Sequence, residues 1–173
     1  GLIAVSSIFI PLFLGDGFND AIGLLSIFSI LVIVVSLSYV VGLSYLVPTK
    51  QQNIYTVAVT ISAFANFFVN LILIPRKGAY GAAIASVFAE TIGMSIQISY
   101  CVIKKQLELK KIVMTSFKYF LSGTIMYISV SLLKKFFSTS IISLCILVIS
   151  GVVIYSVMLL LMKDELFIEN LIK

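Results

Sequence analysis

The sequence predicts an all-α fold, a polytopic transmembrane helix bundle with about five complete spans and one shorter apolar segment ahead of them. Three observations carry that reading. Of the 173 residues, 61% are hydrophobic and only 11% charged, with a mean hydropathy of +1.19. Soluble domains carry roughly 25% charged residues, so composition alone points to lipid. The apolar residues are gathered into long runs separated by short polar punctuation, and none shows the alternating pattern of a membrane barrel. Inside a bilayer every backbone amide needs an internal partner, which leaves helices as the architecture.

The elements follow in order. Residues 3–14 are apolar but offer about 12 residues where a span needs about 20. The segment lacks a basic flank and a small-residue cleavage site, so it does not read as a signal peptide. It is expected to be the end of a helix, and the chain the C-terminal part of a larger protein. Residues 22–47, 54–75, 79–103, 117–133 and 139–162 are the five full runs. At 1.5 Å per residue, runs of about 22–26 residues reach roughly 33–39 Å, enough to cross with tilt. Pro48 and Pro75 are predicted to end the spans before them, because the residue preceding a proline is pushed out of the helical region. Gly78 and Gly81 then supply the turn and the close crossing that follow. Residues 104–120 form the only sizeable polar stretch. Leu109, Ile112, Val113, Phe117 and Phe120 fall on one helical face, and Lys104, Glu108, Lys111, Thr115 and Lys118 on the other. A basic amphipathic helix on a membrane surface is expected over this stretch. The predicted division is therefore a transmembrane core at 1–103, a cytoplasmic amphipathic segment at 104–116, and a terminal two-helix hairpin with a short tail at 117–173.

Orientation follows from the basic residues. Arg76, Lys77, Lys134 and Lys135 fall on one side, four in all. Lys50, Lys104, Lys105, Lys110, Lys111, Lys118, Lys163 and Lys173 fall on the other, eight in all. The richer side is expected to be cytoplasmic and to hold the C-terminus.

Glu90 is the one acidic residue deep in a span. Placing it in lipid costs about 2.5–3.5 kcal/mol on insertion scales, so it should face protein or a wet cavity. Ser86, Gly93 and Gln97 share its helical face. Beside that face runs a strip of small residues, Gly81, Ala85, Ala89 and Gly93, spaced to admit a neighbouring helix closely. Gly81, which opens the strip, is expected to tolerate a larger side chain less well than Gly23. Asn66 and Asn70, with Ser62, form a second polar strip one span earlier, and Ser26, Ser29 and Ser36 a weaker third. Glu90, Ser86, Gln97, Asn66 and Asn70 are the candidate substrate-path residues; Pro75, Gly78, Gly81, Ala85 and Gly93 are the candidate turn and packing residues. The bland alternatives are interhelical hydrogen bonding for Glu90 and the asparagines, and bonding to the helix's own backbone for the serines. Cys101 and Cys145 lie in or beside apolar runs, far apart in sequence, and read as small buried hydrophobes.

There is no His in the chain. A nucleophile elbow, a phosphate-cradling glycine loop and a clustered ligand set are likewise missing. Asp16 and Asp20 sit in a short loop that would not build a paired-carboxylate pocket. No enzyme, no catalytic residue, no metal site and no cofactor is expected. The basic residues lie in short loops rather than on one soluble face, which argues against nucleic acid as a partner.

One further pattern spans residues 1–103. It runs from Phe13-Leu14-Gly15-x-x-Phe18 through the end of the next span at 42–52. It continues with Asn66 and Asn70, Ile74-Pro75, and Gly78-x-x-Gly81-Ala82-Ala83-Ile84-Ala85 opening a helix with Glu90. In this order the motifs resemble the C-terminal region of the polysaccharide (O-antigen, capsule, exopolysaccharide) flippase family of the multidrug/oligosaccharidyl-lipid/polysaccharide exporter superfamily. Residues 117–162 match it in hydropathy alone. The resemblance implies 12–14 helices in two lobes around a cavity that opens to alternate faces, with this chain supplying most of the second lobe. It implies transport of an undecaprenyl-linked oligosaccharide across a bacterial plasma membrane, with membrane lipids and other polysaccharide-assembly membrane proteins as partners. Three alternatives remain open: a drug/cation antiporter of the same superfamily, a non-transport membrane protein of polysaccharide assembly such as a glycosyltransferase or polymerase, and a purely structural membrane subunit.

Overall fold

The computed structural model describes residues 1–106, 109–164 and 168. Glu108 and Lys173, and the side chains of residues 109–115, lie outside the described residues, and with them most of the two-faced pattern predicted over 104–120. Five α-helices carry the fold, with no strand among the described residues: α1 (Leu2–Leu14), α2 (Asp20–Val41), α3 (Gln52–Ile103), α4 (Leu109–Leu133) and α5 (Ile141–Leu161). Three stretches are long and apolar enough to cross a membrane: Asp20–Leu46, Gln52–Ile103 and Ile141–Leu161. This is a membrane protein by length and composition of its helices. Helix α2 makes the point locally, because none of its 22 residues is buried although most are apolar. Val32, Ile33, Phe64, Phe67 and Leu71 are more than half exposed. Apolar side chains facing outward around a helix suit a hydrocarbon surround rather than water.

The chain divides into two compact units, Gly1–Ile22 with Leu109–Lys173, and Gly23–Glu108. In the first, α1 packs on α4 and α5 through Ala4, Val5, Ile8, Val130, Leu144 and Leu147. The Lys134 ammonium donates to Ser7 Oγ at 2.9 Å, tying the end of α4 to α1. At the other end of α4, the Tyr119 hydroxyl donates to Asp164 Oδ1 at 3.0 Å and Ser122 lies against the Met162 sulfur. Helix α4 is continuous from Leu109, so the backbone of 109–116 forms the first turns of the same helix that continues through 117–133. Cys101 is buried, whereas Cys145 is exposed on α5, where the apolar context alone had suggested burial.

The second unit holds α2, a π-helical turn at Gly42–Leu46, and α3. α3 is 52 residues long, and its backbone leaves the helical region at one residue, Gly78, with φ 54° and ψ −131°. That conformation is open to glycine and strained for any residue with a Cβ. The predicted end of the span at Pro75 is therefore corrected: the helix runs through Pro75 and breaks at Gly78. A proline within one turn of a helix end forfeits a single backbone bond, to the carbonyl four residues back, and its ring fixes a φ that the helix already uses. The two arms of α3 fold back on each other. Ser62 Oγ donates to the Ala89 carbonyl at 2.7 Å, and a Cβ built at Gly93 would sit 3.2 Å from Ser62 Cβ. A Cβ at Gly81 would overlap the Leu73 carbonyl oxygen. α2 runs parallel to the second arm, since Gly23 meets Tyr80 and Ser38 meets Gln97. Gly23 is thus no open position, because a Cβ there would overlap the Tyr80 hydroxyl.

Pro48 stands just past the π-helical turn, as its position in sequence predicts. The chain then turns by a device the sequence does not advertise. Lys50, Lys105 and Lys163 each adopt a left-handed conformation, with φ 61°, 54° and 48°. The following amide donates back to a carbonyl five residues earlier: Gln51 to Leu46, Gln106 to Cys101, and Asp164 to Leu159. This closing motif is usually built on glycine. Lysine bears the left-handed strain but places a cation at the negative end of the helix dipole. Gln106 Nε2 then donates to Gln51 Oε1 at 3.3 Å, joining two of these closures.

Candidate functional site

The polar side chains of the second unit meet in a cavity of about 330 Å³ bounded by α2 and both arms of α3. Glu90, Gly93 and Gln97 come from the second arm, Ser62 and Asn66 from the first, and Ser38 from α2. Gly78 makes this possible, since reversing the chain there brings the 62–66 and 90–97 segments face to face. The small residues set how closely the arms approach: Ala85 is fully buried, Ala89 nearly so, and Gly93 stands against Ser62. Glu90 lies near the middle of its arm, roughly 18 Å from Gly78 at 1.5 Å per residue.

The hydrogen bonds around the cavity leave acceptors in excess. Ser62 spends its proton on the Ala89 carbonyl. Gln97, only 1% exposed, donates from Nε2 to Ser38 Oγ at 3.1 Å, while its Oε1 is buried without a donor. That oxygen lies over Gly42, where a Cβ would stand 2.8 Å from it and 2.6 Å from the Tyr55 ring. The glycine that opens the π-helical turn thus makes room for the Gln97 amide. Glu90 is half-buried and makes no hydrogen bond or ion pair with the described residues.

Of the other sequence-predicted residues, Asn70 donates to Asn66 Oδ1 at 2.6 Å, one turn away on the same arm. Its own Oδ1 is buried without a partner, and it lines an adjoining cavity of about 380 Å³ that Asn66 shares and Pro75 borders. Ser86 stays out of the first cavity and donates to the Ala82 carbonyl at 3.0 Å. Ser29 and Ser36 likewise bond their own helix, to Leu25 and Val32. The sequence alone does not mark Ser38. Its signal there is only a polar residue two positions from Ser36 in an apolar run, and it gains meaning from Gln97, 59 residues away. In the sequence Gly42 belongs to a motif; in the structure it is the floor beneath the Gln97 amide.

Compared with known proteins, the chain matches no family model, no curated sequence and no solved structure. The resemblance to polysaccharide flippases rests on the sequence motifs.

Proposed function

We propose that this chain belongs to a membrane transporter that turns an undecaprenyl-linked oligosaccharide across a bacterial plasma membrane for assembly of surface polysaccharide. In this reading it crosses the bilayer five times in full, α3 contributing two spans, with α1 as part of a sixth. Its C-terminus and the turn at 104–106 are cytoplasmic, as the eight-to-four division of basic residues suggests. The observation that carries the proposal is the polar cavity inside an otherwise lipid-compatible helical unit. It is built at the place where the flippase-like motifs lie, between the Asn66 arm and the Glu90 arm. An ionisable residue held at membrane depth marks a path or a binding site more often than it marks packing. The oligosaccharide and membrane lipids are the partners in this reading, together with other membrane proteins of polysaccharide assembly.

The test is complementation of a strain lacking its polysaccharide flippase, scored as surface polymer at matched protein level. Glu90→Gln keeps shape and hydrogen bonding but removes the charge. We expect the wild-type protein to restore polymer and Glu90→Gln to lose most of it. Polymer at the wild-type level with Glu90→Gln would remove the carboxylate from the mechanism. Export of a cationic dye with no restoration of polymer would favour the drug/cation antiporter.

A further inference from the structure

We propose that Lys50, Lys104 and Lys105, gathered at one end of the second unit by the Gln51–Gln106 bond, form a site for the headgroup phosphate of an anionic phospholipid. The proposal goes beyond the transporter reading and does not rest on it. Three observations support it.

First, the lysines come from two links far apart in sequence, and side-chain bonds hold those links together. Gln106 Nε2 donates to Gln51 Oε1 at 3.3 Å, Gln51 Nε2 donates to Thr49 Oγ1 at 3.2 Å, and Thr49 Oγ1 donates to the Tyr45 carbonyl at 2.8 Å. Lys50 and Lys105 each directly precede one of the bonded glutamines, and Lys104 is next in the chain. Their long flexible stems let the ammonium groups of both links share one phosphate.

Second, the charges are uncompensated. All three lysines are exposed, and none makes a side-chain hydrogen bond or ion pair with the described residues. Residues 46–56 and 97–106 contain no Asp or Glu. Lys50 and Lys105 also hold left-handed backbone, with φ 61° and 54°, where glycine would be unstrained. That strain exceeds what a cation at a helix end returns through the dipole, and a backbone outlier kept at such a cost points to a contact that uses the side chain.

Third, the depth selects lipid over a soluble anion. Lys104 and Lys105 directly follow Ile103, the last residue of one membrane-long helix, and Lys50 is four residues past Leu46, the last of another. The headgroup layer is roughly 5–7 Å deep on each side of the hydrocarbon, so ammonium groups this close to the apolar ends stand among lipid phosphates. An ammonium–phosphate contact is the charge-assisted, strong kind.

The experiment is native mass spectrometry of the protein in neutral detergent, titrated with phosphatidylglycerol or with phosphatidylcholine of the same acyl chains. We expect the first phosphatidylglycerol to bind about ten-fold more tightly than phosphatidylcholine, or better. Lys50→Gln and Lys105→Gln should each cut that preference about five-fold. Gln106→Leu keeps every charge and removes the bond between the links; it should also cut the preference, and Gln51→Leu should match it. Lys135→Gln, at the membrane surface opposite in the order of spans, should leave the preference as it is. Circular dichroism checks the fold of each variant, and the wild-type comparison of the two lipids stands even if a variant fails to fold. Equal affinity for the two lipids would overturn the site. A preference untouched by both glutamine variants, or lowered as much by Lys135→Gln as by Lys50→Gln, would overturn it in favour of diffuse surface charge. Displacement of phosphatidylglycerol by an equal concentration of inorganic phosphate would overturn the lipid assignment and leave a soluble anion as the ligand.

Discussion

Adding a single carbon at Gly81 should part the two arms of α3. A Cβ there would overlap the Leu73 carbonyl oxygen, and would lie 2.6 Å from the Leu73 carbonyl carbon and 3.0 Å from the Ile74 nitrogen. Carbon atoms rest at about 3.5–4.0 Å, so the arms must move apart by roughly 1 Å. The obstacle is backbone in a helix, which has no rotamer to change. Overpacking of this kind costs about 1–3 kcal/mol. The same movement stretches the 2.7 Å bond from Ser62 to the Ala89 carbonyl, which is worth a further 0.5–1.5 kcal/mol or so. Gly123 is the control, since a Cβ built there meets nothing within 4 Å. Alanine is a better helix former than glycine by about 1 kcal/mol, and that preference applies at both positions. It cancels in the comparison, leaving Gly81→Ala less stable than Gly123→Ala by about 1.5–4.5 kcal/mol. Unfolding by titrated dodecyl sulfate in mixed micelles, followed by circular dichroism, measures that gap. Two variants within about 0.5 kcal/mol of each other would refute the close crossing and with it the geometry that closes the cavity.

Three further outcomes are expected. Gly78→Ala should lose about 1–3 kcal/mol in the same assay through backbone strain alone, because a Cβ there has open space but φ is 54°. A stability equal to that of the parent would place the break elsewhere. Lys105→Gly should gain up to about 1 kcal/mol, the left-handed strain relieved exceeding the dipole contribution of the lysine; a loss of stability would mean that the cation at the helix end outweighs the strain. For orientation, single cysteines at positions 110 and 16, in a background without Cys101 and Cys145, should differ in intact cells. An impermeant thiol reagent should reach position 16 and spare 110, and the opposite pattern would reverse the topology.

Much of the fold was legible because a bilayer leaves few choices. A long apolar run must satisfy its own amides, so helices at 22–47, at 54–103 and in the last third of the chain follow from composition and run length. Gly78 could be read as a turn, since a glycine beside Arg76 and Lys77 interrupts an apolar stretch. Pro75 misled, because the steric rule for prolines describes a preference that a helix near its end can absorb at little cost. The lysines that close the π-helical turn, α3 and α5 are hidden by the expectation of glycine at such positions.

The sequence by itself determined the membrane class, the helical architecture, the hairpin in α3 and the polar faces carrying Asn66 and Glu90. What it left open was the rotation of α2. A helix apolar on every side has no preferred face, so nothing in its own residues says which serine turns inward. Contacts with the second arm of α3 decided that. Gly42 is where the Gln97 amide and the Tyr55 ring can approach α2, and their approach turns Ser38 toward Gln97 while Ser29 and Ser36 bond their own backbone. A candidate site assembled from three helical segments is therefore written in the sequence as residue types, but the space they share exists only once the helices pack.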